Sequence, residues 1–165
     1  MSDSRKPQLA TGISEEELSK STILVVDDNE QNLELIVANL DILGCKVLSA
    51  VDGIDAINKV QQNQPDLILL DVMMPRMSGF EVCRKLKSDP ATRDIPIVMV
   101  TALHELSDIE RGVESGTDDF ISKPVNRLEL ITRVKSLLRV RHLKNELDRT
   151  IAYLSEVESR VHQSS

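Results

Sequence analysis

No apolar run in this 165-residue chain approaches the roughly 20 residues that span a bilayer. The opening "MSDSRKPQLATG" also lacks the apolar centre of a secretory signal. A helical membrane protein is excluded, and we expect a soluble, cytoplasmic protein with no membrane partner. Cysteine is scarce. Cys45 and Cys83 each sit inside an apolar pattern with no second Cys or His at metal-ligand spacing, so both are expected as small buried hydrophobes and not as a disulfide or zinc site. Positive charge is scarce as well: the formal net charge is -7 and Lys and Arg form no cluster. Nucleic-acid surfaces need a positive patch to release counterions, so no direct contact with DNA is expected.

What remains is 41% hydrophobic residues over 165, enough for one core plus some extra chain. Residues 1–21 are polar and irregular, with "SEEELSK" offering at most a short helical turn, and read as a flexible N-terminal arm. Beyond them the chain alternates. Five short apolar runs have the length and composition of strands: "ILVV" from Ile23, "KVLSA" from Lys46, "DLILL" from Asp66, "PIVMV" from Pro96 and the weaker "DFIS" from Asp119. Between them lie helical patterns. Leu33, Ile36, Val37, Leu40 and Leu43 form one face that stops at Gly44. Ser78 with Glu81, Ser107 with Glu110 and Asn126 with Glu129 mark three later helix starts, the last with Val125 placed to staple against Leu130. Strands that are apolar throughout and alternate with helices belong to a parallel sheet covered on both faces, so the expected fold is a three-layer α/β sandwich.

In such sheets ligands sit beyond the carboxyl ends of the strands. There the first run ends in Asp27 and Asp28, the third in Asp71, the fourth in Thr101 and the fifth in Lys123. Singly, each has an ordinary explanation as a cap, a turn former or a solvated charge. Together, three carboxylates repel one another and call for a cation; oxygen ligands without His or Cys select Mg²⁺, with Mn²⁺ as a possible substitute. An Asp nucleophile, a metal, a lysine and a hydroxyl suit phosphoryl transfer, with Asp71 becoming an aspartyl phosphate. In "PDLILLDVMMPRMSG" the aliphatic run would hold Asp71 rigidly, and Pro75 and Gly79 would shape the loop closing one side of the site. Met73, Met74 and Met77 read as packing residues, since thioethers do not bind Mg²⁺.

"ILVVDDNE", "LILLDVMMPRMSG", "IVMVTA" and "DDFISKP" resemble the receiver domain of two-component response regulators over about residues 22–140. The resemblance implies a flavodoxin-like five-stranded sheet in order 2-1-3-4-5, phosphorylated by a histidine kinase or a histidine phosphotransfer protein in a phosphorelay. It implies Asp71 as phosphoacceptor, Asp28 as a direct Mg²⁺ ligand, Asp27 as a ligand through water and Met73 as one through its carbonyl. Thr101 would be the switch hydroxyl, Phe120 the switch aromatic and Lys123 the phosphate-binding lysine, with a cis bond to Pro124. Met73 and Leu103 would flank the path of the hydrolytic water, and both are apolar, which implies slow self-dephosphorylation.

Two rival classes fit less well. A haloacid-dehalogenase-like phosphatase requires a second Asp where this chain has Met73, and an FMN module requires a glycine-bearing phosphate loop where it has "DDNEQN". No output enzyme is expected within the chain. "LLDVMMPRMSGFEVCRKLKSDPATRDIPIVMVTAL" most resembles receivers that head cyclic-dinucleotide enzymes and serine/threonine phosphatases, so a stand-alone regulator and a part of such a protein both stay open, with the downstream effector unidentified. Finally, Val140, Leu143, Leu147, Thr150, Leu154, Val157 and Val161 follow 3-4 spacing on a helix running past Arg139. We expect a receiver over 22–139 and, over 140–165, an extended C-terminal helix that pairs two copies in a parallel coiled coil. Arg139 facing Lys144 across that pair is its weak point.

Overall fold

The computed structural model describes residues 14–102 and 106–163, without the Leu106 side chain. Its elements are α1 (Glu15–Ser19), β1 (Thr22–Val26), α2 (Glu30–Leu40), a 3-10 turn (Asp41–Leu43), β2 (Lys46–Ala50), α3 (Gly53–Asn63), β3 (Leu67–Asp71), α4 (Gly79–Ser88), β4 (Ile97–Thr101), α5 (Leu106–Ser115), β5 (Asp119–Ser122) and α6 (Arg127–Gln163). All strand pairs are parallel and the sheet order is β2-β1-β3-β4-β5, as the resemblance implies. Among the described residues no helix is long and apolar enough to cross a membrane.

β1, β3 and β4 are buried almost throughout because successive side chains serve opposite faces, whereas β2 and β5, at the edges of the sheet, are only partly buried and carry polar residues. Leu24, Val26, Ile68, Leu70, Ile97 and Met99 join the layer with Val82, Cys83 and Leu86 of α4. Their neighbours Ile23, Val25, Leu67, Leu69, Val98 and Val100 join Leu33, Ile36 and Leu40 of α2 and Leu130, Val134 and Leu138 of α6. Gly44, at φ 68, ends the 3-10 turn in the left-handed conformation that glycine adopts without a steric penalty.

Several local expectations are revised. Ser14 and Glu17 form a reciprocal capping box that starts α1, and Leu18 is buried at 4% exposure, so the part of the supposed arm from Ser14 onward docks on the body. Residues 1–13 lie outside the described residues. Ser107, expected as a cap, already lies inside α5, whereas Ser78 and Asn126 accept from the N–H groups of Glu81 and Glu129. Cys83 is buried, but Cys45 is only half-buried and its thiol donates to the Leu18 carbonyl at 3.1 Å.

The body also holds α6 beyond residue 139. Arg141 Nη1 donates to the Asp94 carbonyl at 2.9 Å, Lys144 Nζ to Asp94 Oδ1 at 2.7 Å, and His142 Nε2 lies 3.5 Å from Glu17 Oε2. Residues 146–163 are exposed throughout. α6 therefore keeps touching the body as far as Lys144, a little over one helical turn past Arg139.

Candidate functional site

Register brings the site together. Val26 pairs with Leu70, Asp71 with Val100 and Thr101 with Ser122, so four adjacent strands end at one level. Asp27 and Lys123 follow directly on β1 and β5, while Asp71 and Thr101 close β3 and β4. Asp27, Asp71 and Thr101 are 1%, 4% and 5% exposed; Asp28 is exposed at the mouth.

Lys123 spans the cleft, its Nζ 3.1 Å from Asp27 Oδ2 and 3.4 Å from Asp71 Oδ2. Backbone donors hold the other oxygens: Asn29 N–H donates to Asp27 Oδ1 at 2.8 Å and Met73 N–H to Asp71 Oδ1 at 3.2 Å. Lys123 N–H donates to the Thr101 carbonyl at 2.9 Å, and the peptide bond to Pro124 is cis. Phe120, half-buried on β5, and Thr101 both line a small cleft with Val72, Phe80, Asp108 and Ile109. Asn29 was not singled out in the sequence, although "DDNE" carries its signal: an Asn before a helix, whose side chain here caps α2.

The loop after β3 closes tightly. Gly79 N–H donates to the Val72 carbonyl at 3.0 Å, and a β-carbon at Gly79 would lie 2.8 Å from Val72 Cα, so only glycine lets the chain pass so close. Arg76, at φ 68, takes the left-handed turn conformation inside this loop. Met74 and Met77 pack against the core as expected, but Met73 is 64% exposed. Leu103 lies outside the described residues.

Oxygens of Asp27, Asp28 and Asp71 all lie within 4.8 Å of one another. Burial, and next the charge of Asp27, push the Asp71 carboxyl from its ordinary 3.8 up to about 6, with Lys123 opposing the rise. One ammonium among three carboxylates leaves negative charge uncompensated, and a donor set of oxygens alone fits a hard divalent cation. The folded protein thus holds the Asp71 proton more tightly than the unfolded chain, so this group's contribution to stability falls as pH rises from about 4 to about 6 and stays low above. Two units correspond to on the order of 2–3 kcal/mol. Asp71→Asn is expected to raise the thermal midpoint of metal-free protein near neutral pH and to change it little at about pH 4, while Mg²⁺ raises the wild type more than the variant. Melting curves at both pH values check this; no stabilisation near neutral pH would refute the crowding.

Residues 23–135 match the response regulator receiver domain family. Over 125 residues the chain is 50% identical to the response regulator PleD of Caulobacter vibrioides, covering 76% of this chain and 28% of that protein. Over 117 residues it is 44% identical to the DNA-binding transcriptional regulator RpaA of Synechocystis, covering 71% of this chain and 48% of that one. The chain thus spans about a quarter to a half of these curated relatives. Among solved structures, the receiver domain of a sensor histidine kinase from Pseudomonas aeruginosa, with magnesium coordinated in its active-site cleft, superposes with a TM-score of 0.68 at 31% identity, over 72% of this chain and 98% of that chain.

Proposed function

Because the chain belongs to the response regulator receiver family, we propose that Asp71 accepts a phosphoryl group from a histidine kinase or histidine phosphotransfer protein and that the phosphoaspartate resets a protein-interaction surface. One observation carries this reading: a buried carboxylate at the sheet's edge, 3.4 Å from a lysine ammonium, with oxygens of two more carboxylates within 4.8 Å. The Asp71 carboxylate attacks phosphorus, the bond from phosphorus to the donor's imidazole nitrogen or acetate oxygen breaks, and the leaving group departs with that electron pair. Lys123 stands beside the attacking Asp71 carboxylate and Asp27 and stabilises the phosphoryl oxygens as the bond shifts. Asp27, Asp28, Asp71 and the Met73 carbonyl would hold Mg²⁺, which supplies charge neutralisation at those oxygens. Thr101 then moves toward the new acceptor and Phe120 follows.

The test is intact mass after incubation with acetyl phosphate. One phosphoryl adduct that requires Mg²⁺ supports the reading; multiple-turnover hydrolysis of phosphate esters, or no adduct, overturns it. A second reading places this receiver at the head of a longer protein with an output domain, such as a cyclic-dinucleotide enzyme; the greater length of the curated relatives favours it.

Phosphoryl lifetime follows from the same site. Met73 and Leu103 are apolar and orient no water by hydrogen bonding. A Met73→Asn, Leu103→Glu variant is expected to lose its phosphoryl group roughly tenfold faster or more, read as the decay of the phosphorylated mass. An unchanged half-life would count against these positions as controls of hydrolysis.

A further inference from the structure

Gly112 lies inside α5, where alanine is the better helix former and the backbone is ordinary helix. Space explains it. A β-carbon at this position would lie 2.6 Å from Phe120 Cε1 and nearer still to Cζ, with Met99 Sδ next at 3.5 Å. The ring therefore rests tip-on against the α5 backbone, in a seat that exists because residue 112 has no side chain.

The helix has little freedom to retreat from that ring. The Gly112 carbonyl accepts from Ser115 Oγ at 2.6 Å and from Thr117 N–H at 3.2 Å. The Cys83 thiol donates to the Ser115 carbonyl at 3.4 Å, and the Arg111 guanidinium stacks over the Phe80 ring at 4.5 Å, tying α5 to α4. With α5 held from both ends of this turn, an added methyl is accommodated by moving Phe120, whose half-buried ring already borders the cleft it shares with Thr101.

We propose that Gly112 is a positioning residue that seats the Phe120 ring against α5, so that the residue at 112 sets how far phosphorylation can move that ring. The second clause rests on the phosphoacceptor reading of Asp71; the first does not. Two measurements separate them. In unphosphorylated protein, Gly112→Ala is expected to lower the folding equilibrium constant when Phe120 is present, and to raise it roughly fourfold, the helix-propensity gain, in a Phe120→Ala or Phe120→Leu background. Stabilisation of the same size in all backgrounds would overturn the seat. Phe80 and Phe120 are the only phenylalanines, so ¹³C-phenylalanine NMR resolves the ring directly. With Mg²⁺ and acetyl phosphate, the Phe120 ring signals of the wild type are expected to shift. In Gly112→Ala the mass gain persists while that shift falls by more than half. An unchanged Phe120 response in the variant would overturn the proposal. Absence of any mass gain in the wild type would overturn the phosphoacceptor reading instead, and the stability cycle would then decide the seat alone.

Discussion

Asp71→Asn is expected to take up no phosphoryl group from acetyl phosphate and Mg²⁺ under conditions that fully modify the wild type. The substitution keeps the shape of the side chain and its place at the end of β3, so the site stays assembled. It replaces a nucleophilic carboxylate by a neutral amide that does not form the acyl phosphate. The folded state tolerates the change because Asp71 sits crowded by burial and by Asp27. Lys123→Ala acts differently. It removes the ammonium that lies within 3.4 Å of both Asp27 and Asp71, and loss of one such preorganised charge slows transfer by roughly a hundredfold. The adduct that does form lacks the cation that senses it, so the Phe120 ring signals are expected to stay where they are in unphosphorylated protein. Intact mass and ¹³C-phenylalanine NMR read the two effects separately. Phosphorylation of Asp71→Asn at the wild-type rate would remove Asp71 as the acceptor.

The sheet and the convergence of Asp27, Asp71, Thr101 and Lys123 were legible because both follow from local pattern. β1, β3 and β4 are buried runs whose polar residue at the carboxyl end marks the site, Lys123 follows the weaker β5, and a parallel register then places those ends side by side. What escaped the sequence depends on partners far along the chain. Leu18 is the single apolar residue of an acidic turn, and nothing near it announces that it joins a core layer with Leu43 and Leu138. Nothing in the sequence places Arg141, His142 and Lys144 beside Asp94 and Glu17, which only the fold brings to them. Gly112 gave a signal, a glycine within an amphipathic helix, but its reason lies in the Phe120 ring, which only the fold brings to it. Met73 reads as packing because a thioether does not bind Mg²⁺, yet it is 64% exposed while its N–H stays on Asp71.

The helix that leaves the body gives the second large expected effect. α6 runs unbroken for 37 residues, about 55 Å. Along α6 from residue 140 onward Val140, Leu143, Leu147, Leu154, Val157 and Val161 are exposed, the first two at the root held to the body, joined by Ile151 and Tyr153 beside the stripe. A second copy in parallel is the occupant that this repeat favours. The repulsion expected between Arg139 and Lys144 is blunted, because Lys144 is paired with Asp94 at 2.7 Å. Removing these six exposed aliphatic side chains of each helix from water supplies the apolar driving force for pairing. Full-length protein is therefore expected to scatter light as a dimer at tens of micromolar. A chain ended at Arg149 is expected to be monomeric; ending it there, and not at Arg139, keeps the contacts of Arg141, His142 and Lys144 that hold the helix root to the body. Repeating both with acetyl phosphate and Mg²⁺ shows whether the switch adjusts the pairing. A monomer in every condition would rule out the coil, and a dimer that survives truncation unchanged would move the interface to the faces of the receiver itself.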